Sequence, residues 1–131
     1  MATRSTIAIE LENGSVKQVY CHWDGYPSHN GNILLNHYSD PVLAEELISN
    51  GDISVLGKVI GEKHDFSDTN NGMTTYYGRD RGETGVDYQV FPSFESYVKR
   101  HQYEDYEYIL RNDGVWYMSS GKAYRELTLH V

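Results

Sequence analysis

Three short stretches combine residue types that can do chemistry. The first is Tyr20-Cys21-His22-Trp23-Asp24-Gly25-Tyr26. In an extended strand Tyr20, His22 and Asp24 share one face, and Cys21 and Trp23 take the other. A histidine beside a carboxylate at the mouth of a strand can carry a proton or hydrogen-bond a ligand. The competing role is to hold the turn that Asp24-Gly25 begins. Cys21 and Trp23 are then expected in the core, which makes Cys21 a poor nucleophile. The second stretch is Tyr76-Tyr77-Gly78-Arg79-Asp80-Arg81-Gly82-Glu83. Extended, it points Tyr77, Arg79 and Arg81 the same way. Two guanidiniums beside a phenol suit a phosphate with a base stacked nearby. Surface ion pairing with Asp80, Glu83 or Asp87 competes with that role. The third stretch is Tyr103-Glu104-Asp105-Tyr106-Glu107-Tyr108. It fits an edge strand kept soluble by charge, and also fits an acidic surface that mimics DNA.

The six histidines are His22, His29, His37, His64, His101 and His130. None sits in an H-E-x-x-H pattern, and a lone cysteine allows no C-x-x-C, so no metal site is expected. Walker A, G-x-G-x-x-G and G-x-S-x-G signatures are also missing, and no cofactor is expected.

The elements that position these residues can be read from patterning. Ile7, Ile9 and Leu11 alternate with Ala8, Glu10 and Glu12, a strand with one buried face. Asn13-Gly14 is a strong hairpin signal, and Val16 to Cys21 returns as the second strand. Asp24-Gly25-Tyr26-Pro27 breaks it. Ile33 to Tyr38 reads as a short helix, and Ser39-Asp40-Pro41 starts another that Asn50-Gly51 ends. Residues 61 to 73 form a polar, turn-rich loop. Thr74 to Tyr77 and Val86 to Phe91 read as strands, and Ser93 caps a short helix through Val98. Tyr106 to Leu110 and Val115 to Met118 make a second hairpin around Asn112-Asp113-Gly114, and Tyr124 to Val131 reads as a last strand. The expected fold is one α+β domain over residues 1–131. It has an antiparallel sheet built from the N- and C-terminal hairpins, with short helices packed on one face.

Composition narrows the function. Of 131 residues, 39% are hydrophobic and 23% charged, as in a globular chain. Nineteen acidic residues against eleven basic ones leave a net charge of −8. That argues against a broad nucleic-acid footprint and against anionic membrane surfaces. No apolar run reaches the roughly 18 residues of a membrane span. Met1 to Ser5 lacks a signal layout, and a single cysteine suits a reducing cytoplasm. Twelve tyrosines stand beside three phenylalanines. Tyrosine suits half-buried strand positions as well as stacking surfaces.

The Tyr20–Tyr26 stretch, the Asn30-Gly31…Leu34-Leu35…His37-Tyr38 stretch and Tyr77-Gly78-Arg79-Asp80-Arg81-Gly82-Glu83 resemble a group of small proteins encoded by tailed bacteriophages. Ser5-Thr6-Ile7-Ala8-Ile9-Glu10 and Gly51-Asp52-Ile53-Ser54 fit the same group. The resemblance implies a phage product in the host bacterial cytoplasm, of the accessory kind that counters host defence. The leading expectation is therefore a binding module that sequesters a nucleotide-derived, cyclic nucleotide-like immune signal, working as a homo-oligomer. Arg79 and Arg81 would hold phosphate, Tyr77, Tyr76 or Tyr26 would stack the base, and His22 and Asp24 would hydrogen-bond base or ribose. One alternative is a metal-independent phosphodiesterase with His22 as acid–base group oriented by Asp24. Another is an acidic protein that inhibits a host defence protein by mimicking DNA.

Overall fold

The computed structural model describes residues 2–100, 104–121 and 123–129. The fold is α+β, as the patterning implies, and it centres on one eight-stranded sheet. Strand β1 (Ser5–Glu10) and β2 (Val16–Cys21) form the first hairpin, with Ser5 opposite Cys21 and Glu10 opposite Val16. Strands β6 (Tyr106–Leu110) and β7 (Trp116–Ser119) form the second. The two hairpins join through a parallel β1–β6 ladder. Parallel partners need a crossover rather than a tight turn, and most of the chain, from β2 to β6, provides it.

On the far side of β2 two segments share the edge. Strand β3 (Ile53–Val55) pairs parallel to its Cys21 end and carries β4 (Thr75–Tyr76) outside it. Strand β5 (Gln89–Phe91) pairs antiparallel to its Val16 end. At the opposite margin β8 (Arg125–Glu126) lies against β7. Among the described residues of the expected Tyr124–Val131 strand, Arg125–Glu126 form the strand, and the Leu127 amide adds a bond to the Trp116 carbonyl. His130 and Val131 lie outside the described residues, as do His101 and Tyr103.

The first face of the sheet is covered by α1 (Asn32–His37) and α2 (Pro41–Ser49). Asp40 caps α2 by accepting from the Val42 amide at 3.0 Å, and Pro41 occupies the first turn. Ile7, Ile9, Val19, Cys21, Leu34, Leu47, Ile53 and Trp116 are buried there. The opposite face is covered too. Helix α4 (Phe94–Lys99), capped by Ser93, packs Tyr97 on Ala8, Val16 and Ile109. So β1 is buried on both faces rather than one. Its alternation with a small Ala8 leaves the room that the Tyr97 ring fills.

Strand β6 is interior rather than an edge. Glu107 on it is buried and ion-pairs with Arg100, while the Tyr124 hydroxyl donates to the same carboxylate. Several tyrosines fill core positions and donate their hydroxyls to backbone carbonyls: Tyr38 to Gly57, Tyr76 to Leu47 and Tyr108 to Gly25. This lets a large ring be buried with its polar tip satisfied. Among the described residues no helix is long and apolar enough to cross a membrane.

Candidate functional site

The Tyr77–Arg81 segment is helical, not extended. It forms the short helix α3 (Tyr77–Arg81), closed by Gly82 in the left-handed conformation at φ +74°. The buried Asp80 carboxylate holds this turn. It accepts from the Tyr76 amide at 2.7 Å, the His64 amide at 3.1 Å and Arg79 Nε at 3.1 Å. The remaining Arg79 nitrogens donate to the carbonyls of Ile60, Gly61 and Thr74 and to Asp80 Oδ2. The guanidinium also lies 4.7 Å from the centre of the Tyr76 ring. Arg79 therefore ties the 60–64 segment to β4 and has no donor left for a phosphate. Burial pushes the Asp80 carboxyl up, but Arg79 and the two amides outweigh it and hold it below the ordinary value. Tyr76 is buried and has no face open for stacking.

Arg81 points elsewhere. Its guanidinium stacks 4.4 Å from the Phe66 ring centre and 5.2 Å from that of Tyr77, and those two rings are 5.5 Å apart. It is half exposed and pairs with Glu83 at the surface.

At the end of β2 the strand alternation fails. The His22 and Trp23 amides still donate to Ile53 and Ser54 of β3. Asp24 then adopts a left-handed backbone, φ +57°, and turns the chain. The turn is held from inside by buried Asn30, whose Nδ2 reaches Ser5 Oγ, Cys21 Sγ and the Trp23 carbonyl. Trp23 consequently lies outside the core, 43% exposed. Cys21 is in the core as expected, its thiol pushed up to about 12 by burial. His22 and Tyr20 do share a face, with the Tyr20 hydroxyl 2.6 Å from His22 Nδ1. Asp24 has left that face, so the orienting partner of His22 is a phenol, not a carboxylate. Burial and then Arg4 lower the His22 pKa below its ordinary value.

These displacements build a groove. Trp23, Asp24 and His29 line it together with Ser54 and Val55 of β3, and with Phe66, Ser67, Thr69 and Asn70 of the polar loop, around a cavity of about 610 Å³. Tyr26, 38% exposed, packs its ring edge on His29 at 6.0 Å. His22 packs edge-on to Trp23 at 4.8 Å. Of the residues predicted from sequence, the structure gathers Asp24, His22, Tyr26, Tyr77 and Arg81 in or beside this groove. Arg79 and Tyr76 stay inside the fold. Sequence reasoning missed Trp23, His29, Phe66 and Arg4. Phe66 carried a signal: it is an isolated aromatic in an otherwise polar loop, where burial alone does not call for one. Among the described residues no group of His, Cys, Asp and Glu side chains could hold a metal ion.

Neither protein-family models, curated proteins nor solved structures show a match to this chain.

Proposed function

We propose that the protein captures a nucleotide-derived, phosphate-bearing small molecule in the Trp23–Phe66 groove and holds it unchanged, serving a bacteriophage by sequestering a host immune signal. The observation that carries the reading is an exposed Trp23 ring and a half-buried Phe66 ring lining the walls of one groove, the second of them backed by the Arg81 guanidinium. Such walls stack planar bases, and the cation attracts phosphate. Arg81 takes the phosphate in exchange for Glu83. Trp23 and Phe66 take the base, with Tyr26 and His29 as outer wall. Asp24 and the Nε2 of His22 supply hydrogen bonds to base or ribose. Arg79 passes from ligand-binding to positioning: it fixes the turn from which Arg81 projects. Tyr77 supports the Phe66 ring rather than the ligand. The groove is open along one side, and a second copy of the chain closes it in the oligomer that completes this proposal.

A bond from Tyr20 to His22 gives the phosphodiesterase alternative less support than a carboxylate partner would, and a buried Glu107 removes a charge from the DNA-mimic surface. The test incubates the protein with cyclic and linear nucleotides, heats it, and chromatographs what is released. Depletion before heating with intact recovery afterwards is expected. Trp23→Ala should weaken binding roughly 5- to 150-fold, the range of one lost base–aromatic stack. A changed product would replace the reading with a hydrolase and put His22 first. No depletion would overturn it and direct attention to a protein partner.

A further inference from the structure

Among the described residues Asp24 is the one non-glycine with a positive φ, +57°. Aspartate takes that conformation more readily than most residues because its side chain can bond the local backbone. Here it does not. Among the described residues the Asp24 carboxylate makes no hydrogen bond and no ion pair. Only the main-chain carbonyl is used, by the Asn30 amide at 3.3 Å. Asp24 is half-buried and lines the groove next to the exposed Trp23 ring. The turn makes no use of the carboxylate, which leaves it for a ligand.

A second acceptor stands in the same lining. His29 Nδ1 lies 2.9 Å from Asn30 Oδ1. Asn30 Nδ2 donates to the Trp23 carbonyl at 3.3 Å, so Oδ1 is the amide atom turned toward His29. An amide oxygen only accepts. The proton therefore sits on His29 Nδ1, and Nε2 of the neutral ring is an acceptor. That nitrogen has no partner among the described residues. Donors are present as well. The Ser67 hydroxyl is committed to Asp65 Oδ1 at 2.8 Å, but the Thr69 hydroxyl and the Asn70 side-chain amide, also in the lining, can donate.

A carboxylate and an acceptor nitrogen beside an aromatic ring call for a planar ligand with a donor-rich edge. Among the common bases guanine has that edge. Its N1–H and one hydrogen of its N2 amino group lie parallel and fit the two oxygens of one carboxylate, and the second amino hydrogen remains. Adenine and cytosine set a ring-nitrogen acceptor beside their amino group, and uracil flanks its N–H with carbonyls. Each of these turns an acceptor toward a carboxylate oxygen, which leaves both unpaired. We propose that the Trp23–Phe66 groove is selective for guanine. Asp24 receives N1–H and N2–H, His29 Nε2 receives the second amino hydrogen, and Thr69 or Asn70 donates to O6. This selectivity rests on the nucleotide reading of the groove and narrows its ligand to a guanine nucleotide.

The experiment is calorimetric titration of the full chain with the 5′-monophosphates of guanosine, inosine, adenosine and 2′-deoxyguanosine. Guanosine monophosphate should bind about 5- to 150-fold more tightly than adenosine monophosphate, the span of one good bidentate pair. Inosine monophosphate, which lacks the amino group, should bind about tenfold more weakly than guanosine monophosphate. The deoxy probe should match guanosine monophosphate. Asp24→Asn replaces one acceptor by a donor and should favour xanthosine monophosphate, whose 2-carbonyl accepts that N–H, over guanosine monophosphate. Asp24→Gly suits the left-handed turn, so its thermal midpoint should not fall while the guanine preference disappears. Adenosine monophosphate binding as tightly as guanosine monophosphate would overturn the selectivity and leave the nucleotide reading standing. So would a deoxy probe as weak as the inosine one, which would assign Asp24 to the ribose, or an Asp24→Asn protein that still prefers guanosine monophosphate. Binding of none of the four would also overturn it, and the depletion test on the wider panel then decides the nucleotide reading separately.

Discussion

Replacing Asp80 with asparagine tests whether α3 is held by a buried ion pair. The Asp80 side chain is fully buried and that of Arg79 is 17% exposed. The carboxylate accepts from two backbone amides and from Arg79. Asparagine keeps one acceptor oxygen but turns an NH₂ toward donors and leaves Arg79 without its counter-charge. Removing one partner of a buried pair costs about 3–5 kcal/mol, and the partial exposure of Arg79 puts the lower end, about 3 kcal/mol, on this site. For a chain of this size that lowers Tm by about 10 °C. The comparison is Arg81→Ala, which breaks an exposed pair worth about 0–1 kcal/mol and should move Tm by no more than about 4 °C. The pH dependence has a definite sign. The folded-state pKa of Asp80 lies below its ordinary 3.8, so its stabilisation is full above 3.8 and is lost as pH falls through the lowered value. The gap between native protein and Asp80→Asn should therefore be constant at neutral pH and narrow below 3.8. Differential scanning calorimetry at several pH values reads both quantities. A loss under about 3 °C at neutral pH, or a gap that does not narrow in acid, would refute the reasoning.

Other outcomes follow from the same geometry. A Cβ on Gly57 would lie 2.4 Å from the Met73 carbonyl carbon and 2.6 Å from the Gly72 oxygen, both backbone, so Gly57→Ala should cost about 1–3 kcal/mol in urea unfolding. Cys21, buried with its thiol pushed up to about 12, should resist thiol reagents at neutral pH in the folded protein and react at once in urea. By NMR, His22 should titrate below 6.5, and Arg4→Ala should raise its midpoint. Because its folded pKa is depressed, the unfolded chain takes the proton first, and His22 lowers stability as pH falls below 6.5.

Local signals made much of the fold legible. Asn13-Gly14 and Asn112-Asp113-Gly114 mark the two hairpins, Asp40-Pro41 starts α2 and Ser93 starts α4, because turns and caps are decided by the residues that form them. Cys21 as core and the α+β class follow from patterning of the same short range, whereas the carbonyls that satisfy buried Tyr38, Tyr76 and Tyr108 come from distant parts of the chain. The β1–β6 ladder could not be read this way, since its partners lie about a hundred positions apart and neither strand encodes the other. With it went the placing of Glu107 inside the sheet and of α4 over Ala8.

The candidate site divides along the same line. Residue types alone marked His22, Asp24, Tyr26, Tyr77 and Arg81, since a phenol, an imidazole and a guanidinium near glycine turns are chemically conspicuous wherever they fall. Which of them reach solvent was a tertiary matter. Asn30, inserted from eight residues downstream of His22, fixes the turn that carries Trp23 out of the core. The carbonyls of Ile60, Gly61 and Thr74 draw Arg79 in and leave Arg81 outside. An arginine's charge is written in the sequence. Whether that charge meets a backbone carbonyl or a ligand depends on what the rest of the chain packs around it.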